Sequence, residues 1–194
     1  MKPGKWDARV ERARALEKAY PFAAEGLRFY EQIALAQKAL YCDLESHLTK
    51  RMKPLDPGTL RSDLDLPFLL PRLGPFLSTV EKNAPAALAE SVHEIRARNG
   101  NHSSEMLRRF WDGGPYAEGV LTRAELAVSW AFLQPYAEFS ADHALISEQH
   151  ATPSLCPLCG NKPIVGVLRR EGDGAKKSLI CMLCAHEWDF RRIY

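Results

Sequence analysis

Over most of the chain the apolar positions recur at helical spacing, and near the C-terminal end they switch to alternation. Residues 7–20 read as a first helix, with Trp6, Val10, Ala13 and Tyr20 along one face and Arg and Glu elsewhere. Pro21 interrupts this pattern. A longer helix is predicted from Phe22 to Lys50, its core stripe carried by Phe22, Phe29, Ile33, Leu40, Leu44 and Leu48. Residues 53–75 change character. Pro54, Pro57, Pro67, Pro71 and Pro75 argue against one long helix, because each lacks an amide donor and its ring crowds the preceding turn. The expectation there is an irregular, strongly apolar stretch with short helical turns, buried on the helices. Residues 85–98 form the next predicted helix, with Leu88, Val92 and Ile95 inward and Asn99-Gly100 as its stop. A short helix over Ser103–Trp111 ends at Gly113-Gly114-Pro115.

The last helix has the clearest start, because Thr122 and Glu125 have capping-box spacing. Leu126, Trp130, Leu133 and Ala137 follow as its stripe, and Pro135 should kink or divide it before the pattern fades near His150. After Ala151-Thr152-Pro153-Ser154 the period becomes extended. Strands are predicted over Ile164–Leu168, Ser178–Cys181 and Glu187–Tyr194, with Trp188 and Phe190 sharing a face. The predicted fold is mainly α: a helical N-terminal domain, residues 1–150, followed by a small rubredoxin-like or zinc-ribbon β module, residues 151–194. A β module this small buries too little apolar surface to fold alone, so a bound metal is expected to supply the missing free energy.

That module holds the candidate chemistry. Cys156-Pro157-Leu158-Cys159-Gly160 and Cys181-Met182-Leu183-Cys184 are two C-x-x-C pairs separated by 21 residues. Each pair can close a tight knuckle that points two thiolates at one ion, and Gly160 suits the left-handed turn such a knuckle needs. Four thiolates form the tetrahedral set for one Zn²⁺ or one iron, and spacing does not choose between the two. The predicted metal ligands are Cys156, Cys159, Cys181 and Cys184, with His186 a bystander or a support to the ligands. The fifth cysteine, Cys42, lies in a helical pattern and reads as a small buried hydrophobe.

Charge changes the picture only locally. The 194 residues carry a net +2, but residues 151–194 carry +3 and the rest −1. A divalent ion on four thiolates is itself doubly negative, so basic residues around it can simply balance the site. Met1 to Tyr20 is charge-rich and lacks the apolar core of a signal peptide. The longest uncharged apolar run, Leu126–Ala137, is too short for a membrane span. A soluble protein in the reducing cytoplasm is expected, which argues against disulfides between the paired cysteines.

Three features together resemble the FdhE family of formate dehydrogenase accessory proteins. They are the run Phe132-Leu133-Gln134-Pro135-Tyr136-Ala137-Glu138, the first knuckle followed by Pro163 and Val165-Gly166-Val167-Leu168, and Cys181-Met182-Leu183-Cys184-Ala185-His186-Glu187-Trp188. The resemblance covers most of the chain. It implies a cytoplasmic, non-catalytic factor needed to make active formate dehydrogenase. Such a factor associates with the catalytic subunit of that enzyme and carries rubredoxin-like knuckles reported with iron. In the family pattern further C-x-x-C pairs follow and build a second knuckle module, whereas this sequence ends at Tyr194. Roles that need the second site are therefore not implied for these residues.

The sequence contains no G-x-S-x-G, P-loop, Rossmann fingerprint or H-E-x-x-H, so no catalytic residue and no organic cofactor site is expected. His143 and His150, seven residues apart, read as solvated or internally satisfied. Two alternatives come from other classes. A zinc-ribbon nucleic-acid binder would use Arg169, Arg170, Lys176, Lys177, Arg191 and Arg192 on phosphates. It is disfavoured by the near-neutral helical body and by the lack of an aromatic-interleaved basic stripe. A rubredoxin-type electron-transfer protein would require iron and reversible reduction. For the accessory reading, Arg169, Arg170, Lys176 and Lys177 would form a charged rim, and Phe68 and Phe76, if exposed, would anchor the partner.

Overall fold

The computed structural model describes residues 4–48, 60–61, 64–113, 119–144, 154–172 and 174–190. Six α-helices and one three-stranded antiparallel sheet account for the regular structure among them: α1 (Gly4–Ala19), α2 (Ala24–Leu48), α3 (Leu66–Asn83), α4 (Ala86–Ala97), α5 (Gly100–Gly113), α6 (Arg123–Asp142), β1 (Pro163–Glu171), β2 (Gly174–Cys181) and β3 (Glu187–Asp189). The mainly α class with a small C-terminal β module is what the sequence predicted. No described helix is long and apolar enough to cross a membrane.

Pro21 ends α1 as expected and starts a single 3₁₀ turn, Pro21–Ala23, that leads into α2. Trp6, Val10 and Ala13 are buried between the two helices, but Tyr20 and Phe22 are not; Phe22 is 90% exposed. Both lie at the connection itself, where the chain turns away from the core and their rings meet each other edge to face. Ile33, Leu40 and Leu44 are buried, while Cys42 is exposed because it lies off this stripe. The predicted end of this helix, with residues 49 and 50, lies outside the described residues, as do Pro54 and Pro57.

The proline-rich stretch is the main correction. Residues 66–83 form one continuous helix through Pro67, Pro71 and Pro75. Asp65 caps it by accepting from the Phe68 amide at 3.0 Å, and Pro67 falls in the first turn, where no amide donor is required. Pro71 and Pro75 each delete a helical hydrogen bond, but all three prolines face outward, so the carbonyls left over can reach water. The opposite face buries Leu66, Leu69, Leu73, Phe76, Leu77 and Val80. Six such side chains at about 1.5–3 kcal/mol each exceed two interior prolines at about 3 kcal/mol each. Phe76 is therefore core and cannot be a surface anchor. Phe68 is half-buried beneath the Arg72 guanidinium, 3.7 Å from the ring centre.

Asn99-Gly100 separates α4 from α5, but it starts the second helix as much as it stops the first. The Asn99 side chain accepts from the His102 amide at 3.0 Å, and α5 begins at Gly100 rather than Ser103. The capping box of Thr122 and Glu125 is present on α6. Pro135 does not divide this helix. It deprives the Ala131 carbonyl of its helical donor, and the buried Gln37 on α2 supplies a replacement, its Nε2 donating to Ala131 O at 2.7 Å. The helix ends at Asp142; His143 closes it with Nδ1 at 2.8 Å from Phe139 O, and residues 145–153 lie outside the described residues.

The run Phe132–Glu138 is largely the centre of the helical core. Phe132, Leu133 and Ala137 are fully buried, and Tyr136 packs against Trp111 while its hydroxyl accepts from the Asp65 amide. The buried Glu138 carboxylate is held by Lys5 at 2.7 Å and Arg9 at 2.8 Å from α1. Tyr41 donates to Asp142 at 2.7 Å, and burial together with that bond pushes its pKa up.

In the sheet, β2 is central: β1 and β3 both pair with it antiparallel. Gly172, with φ +55°, turns β1 into β2. Trp188 on β3 is buried and Phe190 beyond it half-buried, but Ile164, Val165 and Leu168 on the edge strand are exposed. The cysteines, Leu158, Leu183 and Trp188 join the same apolar cluster as the helices, and the Trp130 indole on α6 donates to Met182 O at 3.0 Å.

Candidate metal centre

Each C-x-x-C pair closes a knuckle by the same backbone bonds. The Cys156 amide donates to Asn161 O at 2.8 Å, and the Cys181 amide donates to His186 O at 2.9 Å, so each loop spans the same number of residues. The residue after each second cysteine takes the left-handed conformation. Gly160 does so at φ +69° without cost, whereas Ala185 does so at φ +53°, a conformation side chains rarely adopt. Leu158 and Leu183, at equivalent positions, are both 1% exposed and bury the two loops. The Met182 amide donates to Lys162 O at 3.1 Å and ties one knuckle to the other.

This places Cys156, Cys159, Cys181 and Cys184 together, with their sulfurs all within 4.8 Å of one another and every residue buried. Three of the sulfur–sulfur distances are 3.6 Å (Cys156–Cys184), 3.4 Å (Cys159–Cys181) and 3.6 Å (Cys159–Cys184). A tetrahedral set with metal–sulfur bonds of about 2.3 Å requires sulfurs about 3.8 Å apart. The four cysteines are positioned to hold one metal ion, and the donor set suits Zn²⁺ or iron equally.

Hydrogen bonds from the neighbouring thiols, Cys156 foremost, hold Cys159 below the ordinary thiol range. The same contacts and burial raise Cys156 and Cys184 and keep their protons on. Binding a metal therefore expels protons, and affinity rises with pH. Further donors sit around the sulfurs: the Leu183 amide is 3.4 Å from Cys181 Sγ, and Asn161 Nδ2 is 3.7 Å from Cys159 Sγ. His186 is not a fifth ligand among these groups. Its ring stacks on Trp188, and burial pushes its pKa down.

Sequence reasoning missed the groups that approach from the helices. Trp130 bonds to the second knuckle, and burial lowers the pKa of half-buried Arg61, opposed by the charges of Cys159, Cys181 and Cys184. No periodic or spacing signal links residues so far apart in the chain. The expected charged rim is partly internal to the sheet. Arg169 clasps Glu187 through Nε at 3.1 Å and Nη2 at 2.7 Å, and Lys176 pairs with Asp189 at 2.9 Å. Arg170 and Lys177 are exposed, and Arg191 and Arg192 lie outside the described residues.

A mainly helical body bearing a four-cysteine ribbon defines the class. Residues 155–192 match the model of the FdhE central domain. The chain is 28% identical to an FdhE homologue of Pseudomonas aeruginosa, over 95% of its own length and 62% of that protein's. To FdhE of Salmonella paratyphi A it is 27% identical, over 97% and 63% of the two lengths. A 41-residue segment is 44% identical to an FdhE homologue of Stutzerimonas stutzeri, covering 21% of this chain and 13% of that protein. The crystal structure of the FdhE protein from Pseudomonas aeruginosa superposes on the whole chain, and on 69% of its own, with a TM-score of 0.65 at 23% identity, a likeness of fold. The resemblance read from the motifs is borne out as similarity to FdhE proteins along nearly the whole chain. It spans 62% to 63% of the length of the two long relatives.

Proposed function

We propose that this chain is an accessory factor, not a catalyst, for the formation of active formate dehydrogenase. It binds the catalytic subunit of that enzyme in the cytoplasm and holds one Zn or Fe ion on Cys156, Cys159, Cys181 and Cys184. The observation that carries this reading is the conjunction of the buried four-sulfur cluster with similarity to FdhE proteins along nearly the whole chain. In this reading the chain comprises two units, an α-helical domain over residues 1–150 and a metal-binding module over residues 151–194. The metal supplies a crosslink between the knuckles, and the chain's own residues supply the contact surface. Phe76 is removed from that surface by its burial; Arg170 and Lys177 remain as rim charges, which mainly set association rate and salt dependence. The ion pairs of Arg169 and Lys176 weigh against a phosphate-binding role for this face.

The test is a pull-down of the purified catalytic subunit at low salt, using the intact chain and a variant with all four cysteines replaced by serine. Association with the intact chain and its loss in the variant is expected. No association with the intact, metal-loaded chain, alongside a positive control from a longer FdhE protein, would refute the reading.

A further inference from the structure

We infer that Arg61 is a charge-compensating residue for the metal–tetrathiolate centre, supplied by the helical body. This rests on the reading that the four cysteines bind a metal.

Arg61 lies between Leu60, which is 2% exposed, and the start of α3, and the Trp111 indole donates to its carbonyl at 3.0 Å. Its backbone is thus fastened to the helical core. Among the described residues its buried Nε and Nη2 find no hydrogen-bond partner. Leaving a guanidinium desolvated and unpaired is strongly unfavourable unless a counter-charge stands close by. Burial works against the charge of this guanidinium and lowers its pKa, and the negative groups that oppose that effect are Cys159, Cys181, Cys184 and Asp112. Four thiolates around a divalent ion carry two negative charges in a poorly hydrated site, and a guanidinium there holds its charge at every accessible pH. The cation therefore favours the doubly negative, metal-loaded cluster. It also couples the ribbon's metal to the helical body through a residue roughly a hundred positions away in sequence.

The experiment titrates the full chain with Co²⁺, reading the thiolate-to-cobalt absorption, and with Zn²⁺ by competition against a chelator. It compares wild type, Arg61→Met and Arg61→Lys. The Met variant should bind cobalt about tenfold more weakly, in the range of a single charge coupling, and the Lys variant should stay within about threefold of wild type. Without metal, the Met variant should melt at or above wild type, because a buried cation without hydrogen-bond partners has gone; with metal it should melt below it. Should the Met variant fold poorly, Arg61→Gln repeats the affinity measurement with the same expected weakening. Equal affinity in charge-free variants and wild type overturns the inference, as does equal destabilisation with and without metal, which is the mark of packing alone. A wild-type chain that takes up no cobalt would overturn the metal centre itself, a result distinguishable from both.

Discussion

Gln37 and Pro135 form a pair whose energetics can be measured directly. Pro135 has no amide hydrogen, so the Ala131 carbonyl one turn earlier loses its helical partner. Gln37, 3% exposed on α2, donates to that carbonyl at 2.7 Å and to Gln134 Oε1 at 3.0 Å. Gln37→Leu fills similar space but leaves both acceptors unpaired. An unsatisfied buried acceptor costs about 1–3 kcal/mol, and in a chain of this size each kcal/mol lowers Tm by about 2–4 °C. The expected loss is therefore about 2–12 °C by thermal unfolding followed by circular dichroism. In a Pro135→Ala background the new backbone amide at that position can donate to Ala131 O, so Gln37→Leu should cost clearly less there. The coupling of the two substitutions, about 1 kcal/mol in a double-mutant cycle, isolates the replacement bond from the other effects of either change. Equal cost of Gln37→Leu in both backgrounds would refute the reasoning.

Other outcomes follow from the same structure. Cys159→Ser together with Cys184→Ser should abolish metal uptake, measured as metal per chain by mass spectrometry, while the helical circular dichroism signal persists; full occupancy would contradict the site. Hydrogen bonding from Arg169, joined by Ser178, depresses the Glu187 carboxyl from 4.5 to about 2. Because the folded value is the lower one, this stabilisation is complete above about pH 4.5 and is lost as pH falls towards 2. Arg169→Ala should move the carboxyl carbon titration of Glu187 back towards 4.5, and an unmoved midpoint would count against the ion pair. Phe76→Ala should lower stability by about 3–5 kcal/mol in denaturant melts, as for a buried ring, and an unchanged midpoint would return Phe76 to the surface.

Local rules in the sequence determined a good deal. The two C-x-x-C pairs and Gly160 dictate knuckles, because the bonds that close them span only a few residues. The Thr122–Glu125 box and Pro21 set element boundaries for the same reason, and the change of period separates helices from strands. Where the reading failed, a long-range balance decided. Pro71 and Pro75 are tolerated because their helix buries six apolar side chains on the opposite face, a gain that local propensity does not contain. Pro135 is tolerated because Gln37, far away in sequence, replaces the missing donor. Tyr20 and Phe22 look like core by spacing but sit where the chain turns, and Cys42 falls off the stripe that α2 buries. Ala185 adopts a left-handed conformation with no glycine to announce it, because the second knuckle must mirror the first. The surroundings of the four sulfurs belong to tertiary structure as well: Trp130 and Arg61 are brought beside the ribbon by helix packing, and burial strengthens a charge or a hydrogen bond in a way that residue order cannot express.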